Sequence, residues 1–390
     1  MKAALLSHLA SVDAPTGAER SLALLARGLS EREHQVAVAA PGPWSMGAVL
    51  EAAGVEVATI PVRPCWLVQY GPQPLWRQTA RAARYALPDR GYGVLRSWLG
   101  ALDPDVVHVN CLPHLRGAAA ARSLGLPVVW HIREILPPGP RRRWFAGRLG
   151  ATSTRIVAVS EAVAHWLQEE NLGELVEVIH NGADPPTDSV DREAARGRFD
   201  LPPEAAVVGL FSQLVTHKGS LDFVRAAQMA AARDPRLHFL IAGSGRSAFV
   251  EHLRGEIAAG PAADRIRLVP PQDEIWPLLA AVDVVALTTR WPDPLPRVVM
   301  EAMAVGLPVV AYDGGGVPEM VVAGETGVVL PSGDVEGLGA AMLELAGDGE
   351  LRRRFGDAGC RRARRLFSVE RHVDRMERAL LRAASAAASG

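Results

Sequence analysis

A few charged side chains in apolar surroundings carry most of the chemistry this chain can offer. Near the C-terminal third it reads Asp293-PLPRVVM-Glu301-AMAVGLPVV, two carboxylates joined by a Pro-Leu-Pro turn and a helical stretch. Val298, Val299, Met300, Ala302, Met303, Ala304 and Val305 predict a helix that is apolar all round and therefore buried. An ionised Glu301 inside it is costly unless hydrogen-bonded, so a partner is expected that the local sequence does not supply.

Lys218 is the second candidate. Of 42 basic residues only Lys2 and Lys218 are lysine, and the two side chains are not interchangeable where a compact point charge is wanted. The segment Ser212-QLVTH-Lys218-Gly-Ser220 runs from an apolar strand pattern into the helical LDFVRAAQMAA. A cation just before a helix start opposes the macrodipole, and an anion between the two would relieve the conflict. Snorkelling into water is the alternative.

Two further turns could face an anion. Thr16, followed three residues later by Glu19, is a capping box, so a helix starts there and offers the amides of Gly17 and Ala18. Gly243-Ser-Gly245 follows the strand pattern LHFLIA and superficially matches a dinucleotide fingerprint. The next strand, RIRLV, ends in Pro270-Pro271 instead of an acid, which favours a Gly-rich strand-to-helix turn lining a cleft. His131 closes the strand pattern VVWHI and is as readily structural as functional. Arg77, Arg81 and Arg84 share a helix face, and Arg141 to Arg143 follow a Pro-rich turn. A solvated face explains both better than an anionic acceptor or a membrane, and Arg352 to Arg354 and Arg361 to Arg365 read the same way.

Positioning these groups requires regular elements, and short β-type runs alternate with helical segments throughout. Strands are expected at Ala3–Leu6, Val36–Ala39, Val55–Ile60, Val106–Val109, Val128–Ile132, Arg155–Val159 and Val178–Ile179. The second half repeats the pattern at Val207–Phe211, Leu237–Ala242, Arg265–Val269, Val284–Leu287, Val309–Tyr312 and Val328–Leu330. Such alternation predicts an α/β protein with two doubly wound, Rossmann-like domains facing across a cleft. The expected division is 1–184, a polar proline-bracketed linker at 185–204, a nucleotide-sugar-sized second domain at 205–368, and a helix at 369–390 packing back on the first domain.

Length and composition agree: 390 residues exceed one core, and a net charge of −1 gives no support to a nucleic-acid partner. No apolar run reaches a membrane span and Met1 to Ala10 reads as a strand, so a cytoplasmic location is expected. Cys65, Cys111 and Cys360 lack metal or redox spacing and read as buried free thiols.

In this order, TGAERSLALLARGL, VVWHIRE, VAVSEAVAHWL, VIHNGAD, LVTHKG, LIAGSG and DPLPRVVMEAMAVGLPVVAYDGGGVPEMVVAGETGVVLPSGD resemble the retaining glycosyltransferases of family 4, which have the type B fold, over nearly the whole chain. The resemblance implies that Glu301 accepts hydrogen bonds from the ribose of a sugar nucleotide and that Asp293 lies against the transferred sugar. It implies that Lys218 holds the diphosphate, Gly17 approaches it, and His131 lies near the sugar. Backbone around Leu295, Arg297 and Val298 would touch the sugar, Gly243 would line the site, and Pro271 and Gln272 would border the base. Four departures stand out: Asp293 for the usual Glu, Pro296 for Gly, Gln213 for a phosphate-binding Arg, and Thr16 for the first of two glycines.

The implied activity is transfer with retention from a nucleoside-diphosphate sugar, UDP-sugar favoured, to a hydroxyl of a small molecule or glycan. Neither a cofactor nor a metal is required by that scheme. The Arg-rich, Ala-rich composition points to a GC-rich source and, with the family, to natural products such as aminoglycoside-type antibiotics. Other readings are a sugar-nucleotide binder with little activity, an epimerase on the same scaffold, and a lipid or polysaccharide glycosyltransferase with weak peripheral membrane contact.

Overall fold

A computed structural model describes residues 1–12, 15–68, 74–186 and 190–388. The chain divides into two compact units, Met1–Gly182 with Val369–Gly390, and Ala183–Ser368.

Unit 1 carries the strands β1 (Lys2–Leu6), β2 (Gln35–Ala40), β3 (Glu56–Thr59), β4 (Val106–Asn110), β5 (Val128–Ile132), β6 (Arg155–Ala158) and β7 (Val176–Val178). They form one sheet in the order β3-β2-β1-β4-β5-β6-β7, parallel throughout, with Leu5 opposite Val38 on one side and His108 on the other. Unit 2 carries β8 (Ala206–Phe211), β9 (Leu237–Ala242), β10 (Ile266–Val269), β11 (Val284–Leu287), β12 (Val309–Tyr312) and β13 (Gly327–Leu330), ordered β10-β9-β8-β11-β12-β13 and again parallel. The two sheets are Rossmann-like α/β layers, as the alternation of apolar runs and helical segments requires. Both faces of the central strands are covered, so the runs VVAL and VVAY are buried at every position.

The core of unit 1 joins Leu5, Leu22, Leu29 and Val38 to Met376, Leu380 and Ala383 of the last helix, Val369–Ala388. That helix lies against the helix Gly17–Glu31 and against β4 and β5. In unit 2 the helices Ser220–Ala231 and Val335–Gly347 pack together over Phe223, Phe239, Tyr312 and Met342.

Polar composition misled the reading of 185–204. Residues 187–189 lie outside the described residues, but Arg192–Arg198 is a helix capped by Asp191, and it belongs to unit 2. Arg192 and Arg196 both reach Asp283 ahead of β11, at 2.6 and 2.9 Å, and buried Arg196 also donates to the Ala281 carbonyl. Its charges are spent on docking the helix. Three arginines expected on solvated faces are similarly engaged: Arg142 is buried against Glu169 and Glu170, Arg352 donates to the Leu345 and Ala346 carbonyls, and Arg362 donates to those of Met320 and Glu319. The helix Leu75–Ala86, which bears Arg77, Arg81 and Arg84, does leave Trp76 largely exposed, with Arg77 over its ring. Cys65 and Cys111 are buried, whereas Cys360 is only partly so.

Candidate functional site

In unit 2 the strand order reverses between β8 and β11, the place where open parallel sheets bind ligands at the carboxyl ends of their strands. After β8 the turn Thr216–Lys218 leads through Gly219 into the helix Ser220–Ala231. Gly219 has φ 70°, and a Cβ there would lie 1.9 Å from the Thr288 carbonyl oxygen, so only glycine fits between the turn and the continuation of β11. The Thr288 hydroxyl donates to the Lys218 carbonyl at 2.9 Å and fixes the lysine backbone.

The Lys218 ammonium donates to Asp293 Oδ2 at 2.7 Å, both side chains being partly buried. The anion expected opposite this lysine is thus the first carboxylate of the pair, which replaces the water-exposed alternative. On the same helix, buried Asp222 accepts from Arg290 Nε and Nη2 at 2.7 and 2.5 Å, an acid in the first turn where the macrodipole favours it. His217 stacks on Trp291 with centroids 4.4 Å apart and planes 10° from parallel. Burial first, then the charge of Lys218, lowers the His217 pKa, so the imidazole is neutral at neutral pH.

Glu301 is buried in the helix Arg297–Ala304, but its partner is local after all. Arg297 Nε donates to Glu301 Oε1 at 2.7 Å, because residues four apart meet on one helix face. The arginine's Nη1 is buried without a hydrogen-bond partner. Leu295 is buried and Val298 partly so, leaving their backbone as the accessible part. The Asp293 carbonyl accepts from Gly316 N at 2.8 Å and Asp293 bridges to Gly315. The three glycines after β12 therefore brace the Asp293 loop, a role not assigned from sequence although the run itself was visible.

Beside this constellation the carboxyl ends of β8, β9 and β10 enclose a cavity of about 320 Å³, lined by Leu214, Gly243, Gly245, Leu268, Pro270 and Pro271 among others. A Cβ on Gly243 would sit 1.8 Å from the Ser212 carbonyl oxygen, so the Gly-Ser-Gly turn serves close approach to the strand β8 loop. Gln272 is turned away: it accepts from Arg198 at 2.6 Å and donates to the Pro270 carbonyl. Gln213 is exposed in the same loop as Lys218.

In unit 1, Thr16 caps the helix Gly17–Glu31, and both halves of the capping box form. Buried Glu19 also accepts from Ser11 N and Oγ at 2.7 and 2.8 Å, which leaves exposed Gly17 at the helix start. His131 departs from expectation. It lies inside β5 at 0 % exposure, 3.2 Å from His108 through Nδ1 and stacked on His372 with centroids 6.0 Å apart. Burial, then Arg133, His108 and His372, holds its pKa well below the usual imidazole value. An enclosed neutral imidazole cannot touch a sugar as placed, because β5 continues past it and turns the side chain inward.

The groups that do emerge from β5 are the next two, which sequence reading missed although the pair closes VVWHIRE. Arg133 donates to Asn110 Oδ1 at 2.9 Å, to Asn181 Oδ1 at 2.6 Å and to His131 Nδ1 at 3.3 Å. Glu134 accepts from the amides of Leu112 and Arg133, and burial nevertheless lifts its pKa to about 7. Among the described residues no group of three or more His, Cys, Asp or Glu could hold a metal ion, and no helix is long and apolar enough to cross a membrane.

Two family models match this chain in succession: Glycosyltransferase Family 4 over residues 15–186, and Glycosyl transferases group 1 over residues 191–362. A lipopolysaccharide core biosynthesis glycosyltransferase of Rhizobium meliloti is 30 % identical over 42 % of this chain, and the chain spans about half (46 %) of that relative's length. A phosphatidyl-myo-inositol mannosyltransferase of Mycolicibacterium smegmatis is 26 % identical over 88 % of this chain and 84 % of its own. The solved structure of Anabaena Alr3699/HepE in complex with UDP-glucose superposes with a TM-score of 0.81 at 24 % identity, over 97 % of this chain and 99 % of that one, a likeness of fold. With both halves matched in order, and with two Rossmann-like sheets in its structure, the chain belongs to the family 4 glycosyltransferases of type B architecture.

Proposed function

We propose that this protein transfers a sugar, with retention, from a nucleoside-diphosphate sugar to a hydroxyl of a small-molecule or glycan acceptor. The observation that carries the reading is the Lys218–Asp293 pair at the strand-order reversal of unit 2. Departure of a nucleoside diphosphate places negative charge on phosphate and positive charge on the sugar ring. Lys218 and the first amides of the helix Ser220–Ala231 suit the former as preorganised electrostatic stabilisation. On donor binding Lys218 exchanges Asp293 for phosphate, and Asp293 is released to fix a sugar hydroxyl. Glu301 takes the ribose hydroxyls, the unpartnered Arg297 Nη1 offers a donor beside it, and the base enters the cavity walled by Gly243 and Pro271. Gly17 offers its helix-start amide to the diphosphate, and His131 acts through Arg133 rather than by contact. The leaving phosphate takes the acceptor proton, so the scheme needs no divalent metal.

A uridine donor is favoured by the Anabaena likeness, and an antibiotic-type cyclitol or sugar acceptor by the chain's composition. A thermal-shift panel of UDP-, GDP- and dTDP-sugars, followed by kinetics, tests the proposal. The UDP-sugar should give the largest shift, and Lys218→Ala should lose most of that shift and most turnover with an unchanged melting temperature in the absence of donor. Lys218→Arg should restore only part, the guanidinium being wider and planar. Wild-type donor kinetics in Lys218→Ala would remove the diphosphate role. Release of nucleoside diphosphate only on acceptor addition separates transfer from a silent binder and from an epimerase.

A further inference from the structure

Unit 1 has a strand-order reversal of its own, between β1 and β4, where ligand sites also form. His8 stands just past β1, and it is 93 % enclosed, at 7 % exposure. It hydrogen-bonds the Asn110 backbone after β4, and burial, with His114 and Arg133 adding, lowers its pKa to about 3. The imidazole is therefore neutral, yet its buried Nδ1 has no hydrogen-bond partner. An orphaned buried nitrogen in a native fold calls for a missing partner.

The ring His8 meets is Trp66, edge-on, with centroids 6.2 Å apart and planes at 65°. Trp66 begins a short turn that is tied to the loop after β4 by Cys65 N donating to the Pro113 carbonyl at 2.7 Å. Although Cys65, Leu112 and His114 around that tie are buried, Trp66 stays 39 % exposed. An indole is thus anchored at the carboxyl edge of the sheet with part of its surface open, beside the polar groups of His8, Asn110 and Arg133.

We propose that this edge is the acceptor subsite: a hydroxylated six-membered ring, sugar or cyclitol, lays its C–H face on Trp66, and a rotation of the indole brings one of its hydroxyls to His8 Nδ1. One flat apolar surface bordered by polar groups matches a ring that is apolar on its face and polar at its rim. A wholly apolar ligand would leave the orphaned nitrogen unpaired. The inference rests on the transferase reading above and assigns it an acceptor class.

Saturation-transfer NMR with methyl α-D-glucopyranoside and with myo-inositol, on wild type, Trp66→Ala, Trp66→Phe and His8→Phe, tests it. Wild type should show transfer to one of the two probes, which distinguishes sugar from cyclitol. Trp66→Phe should retain the signal, and Trp66→Ala should weaken binding at least tenfold. His8→Phe, which keeps an aromatic support, should weaken it several-fold. No transfer in wild type at tens of millimolar probe, or an undiminished signal in Trp66→Ala, overturns the subsite. Calorimetry with UDP on the same proteins reads the donor site separately. Failure of the ring probes with UDP binding intact defeats the subsite alone, whereas loss of UDP binding in wild type defeats the transferase reading itself.

Discussion

Asp293 and Lys218 form a pair that a donor has to open, and this predicts opposite effects on the two halves of the donor. Asp293→Asn frees the ammonium, so affinity for the bare nucleoside diphosphate should stay level or rise a few-fold. Turnover with the intact donor should fall at least tenfold, because the group that fixes the sugar loses its charge. Calorimetry with diphosphate against steady-state kinetics with donor separates the two, and a parallel loss in both would mean that the pair is only structural. Glu301 carries a second expectation. Glu301→Gln exchanges a charge-assisted acceptor for a neutral one and weakens Arg297 as well as the ribose, at a cost of about 1.5–3 kcal/mol, or roughly ten- to a hundred-fold in affinity. Wild type should prefer a ribose donor to its 2′-deoxy analogue and the variant should lose most of that preference. Equal discrimination by both would leave Glu301 as an anchor for Arg297 and nothing more.

Helices position these groups through close approaches that a single methyl group can upset. The helix Gly17–Glu31 meets the last helix at Gly28, where an added Cβ would lie 2.6 Å from Val373 Cγ2. Alanine would gain about 1 kcal/mol in helix propensity over glycine. Against that stands overpacking of a β-branched side chain with little χ1 freedom, about 1–3 kcal/mol. The clash should win, so Gly28→Ala should be less stable by about 1 kcal/mol in urea unfolding. Gly28→Ala combined with Val373→Ala should recover the propensity gain relative to Val373→Ala alone. A Gly28→Ala protein more stable than wild type would show that the two helices part easily. The same logic explains Gly219 and Gly243, where backbone and not side chain occupies the space.

Across the molecule the buried histidines are gathered in unit 1, and they set its response to acid. Burial lowers the pKa of His8 and His108 to about 3, of His114 to about 4, and of His131 well below its ordinary value. Each folded pKa lies below the unfolded one, so the unfolded chain binds more protons on acidification. The stability these groups contribute is complete above about pH 6.5 and is lost as pH falls toward 3–4, at pH 5 on the order of 2 kcal/mol for each of the first two. Glu134 acts in the other direction: its raised value, about 7, gives stability that is complete below its ordinary carboxylate range and lost as pH rises through 7. With one carboxyl set against four imidazoles, the melting temperature should fall between pH 7 and pH 5. Amide exchange should rise first in β4 and β5 and later in β8 and β11. A melting temperature independent of pH over that interval would mean the cluster admits water and titrates normally.

Short apolar runs flanked by helical pattern sufficed to locate all thirteen strands to within two residues or so and to call for parallel sheets, because strands buried on both faces have to be written in Val, Ile, Leu and Ala. Caps and breakers were legible for the same local reason, as at Thr16 and at Gly219. The partners were not. That Lys218 faces Asp293, that Asn110 and Asn181 hold Arg133, and that Arg192 and Arg196 dock on Asp283 are pairings over 23 to 91 positions, and sequence order says nothing about which loops a sheet brings together. Glu301 shows the converse, a partner within one helical turn that was passed over because the helix was read for its apolar residues. His131 was assigned the role of the strand's last residue when it is the last but one. In a β-strand one position decides between the interior and the ligand, since successive side chains point to opposite faces, and only the folded sheet shows where the strand ends.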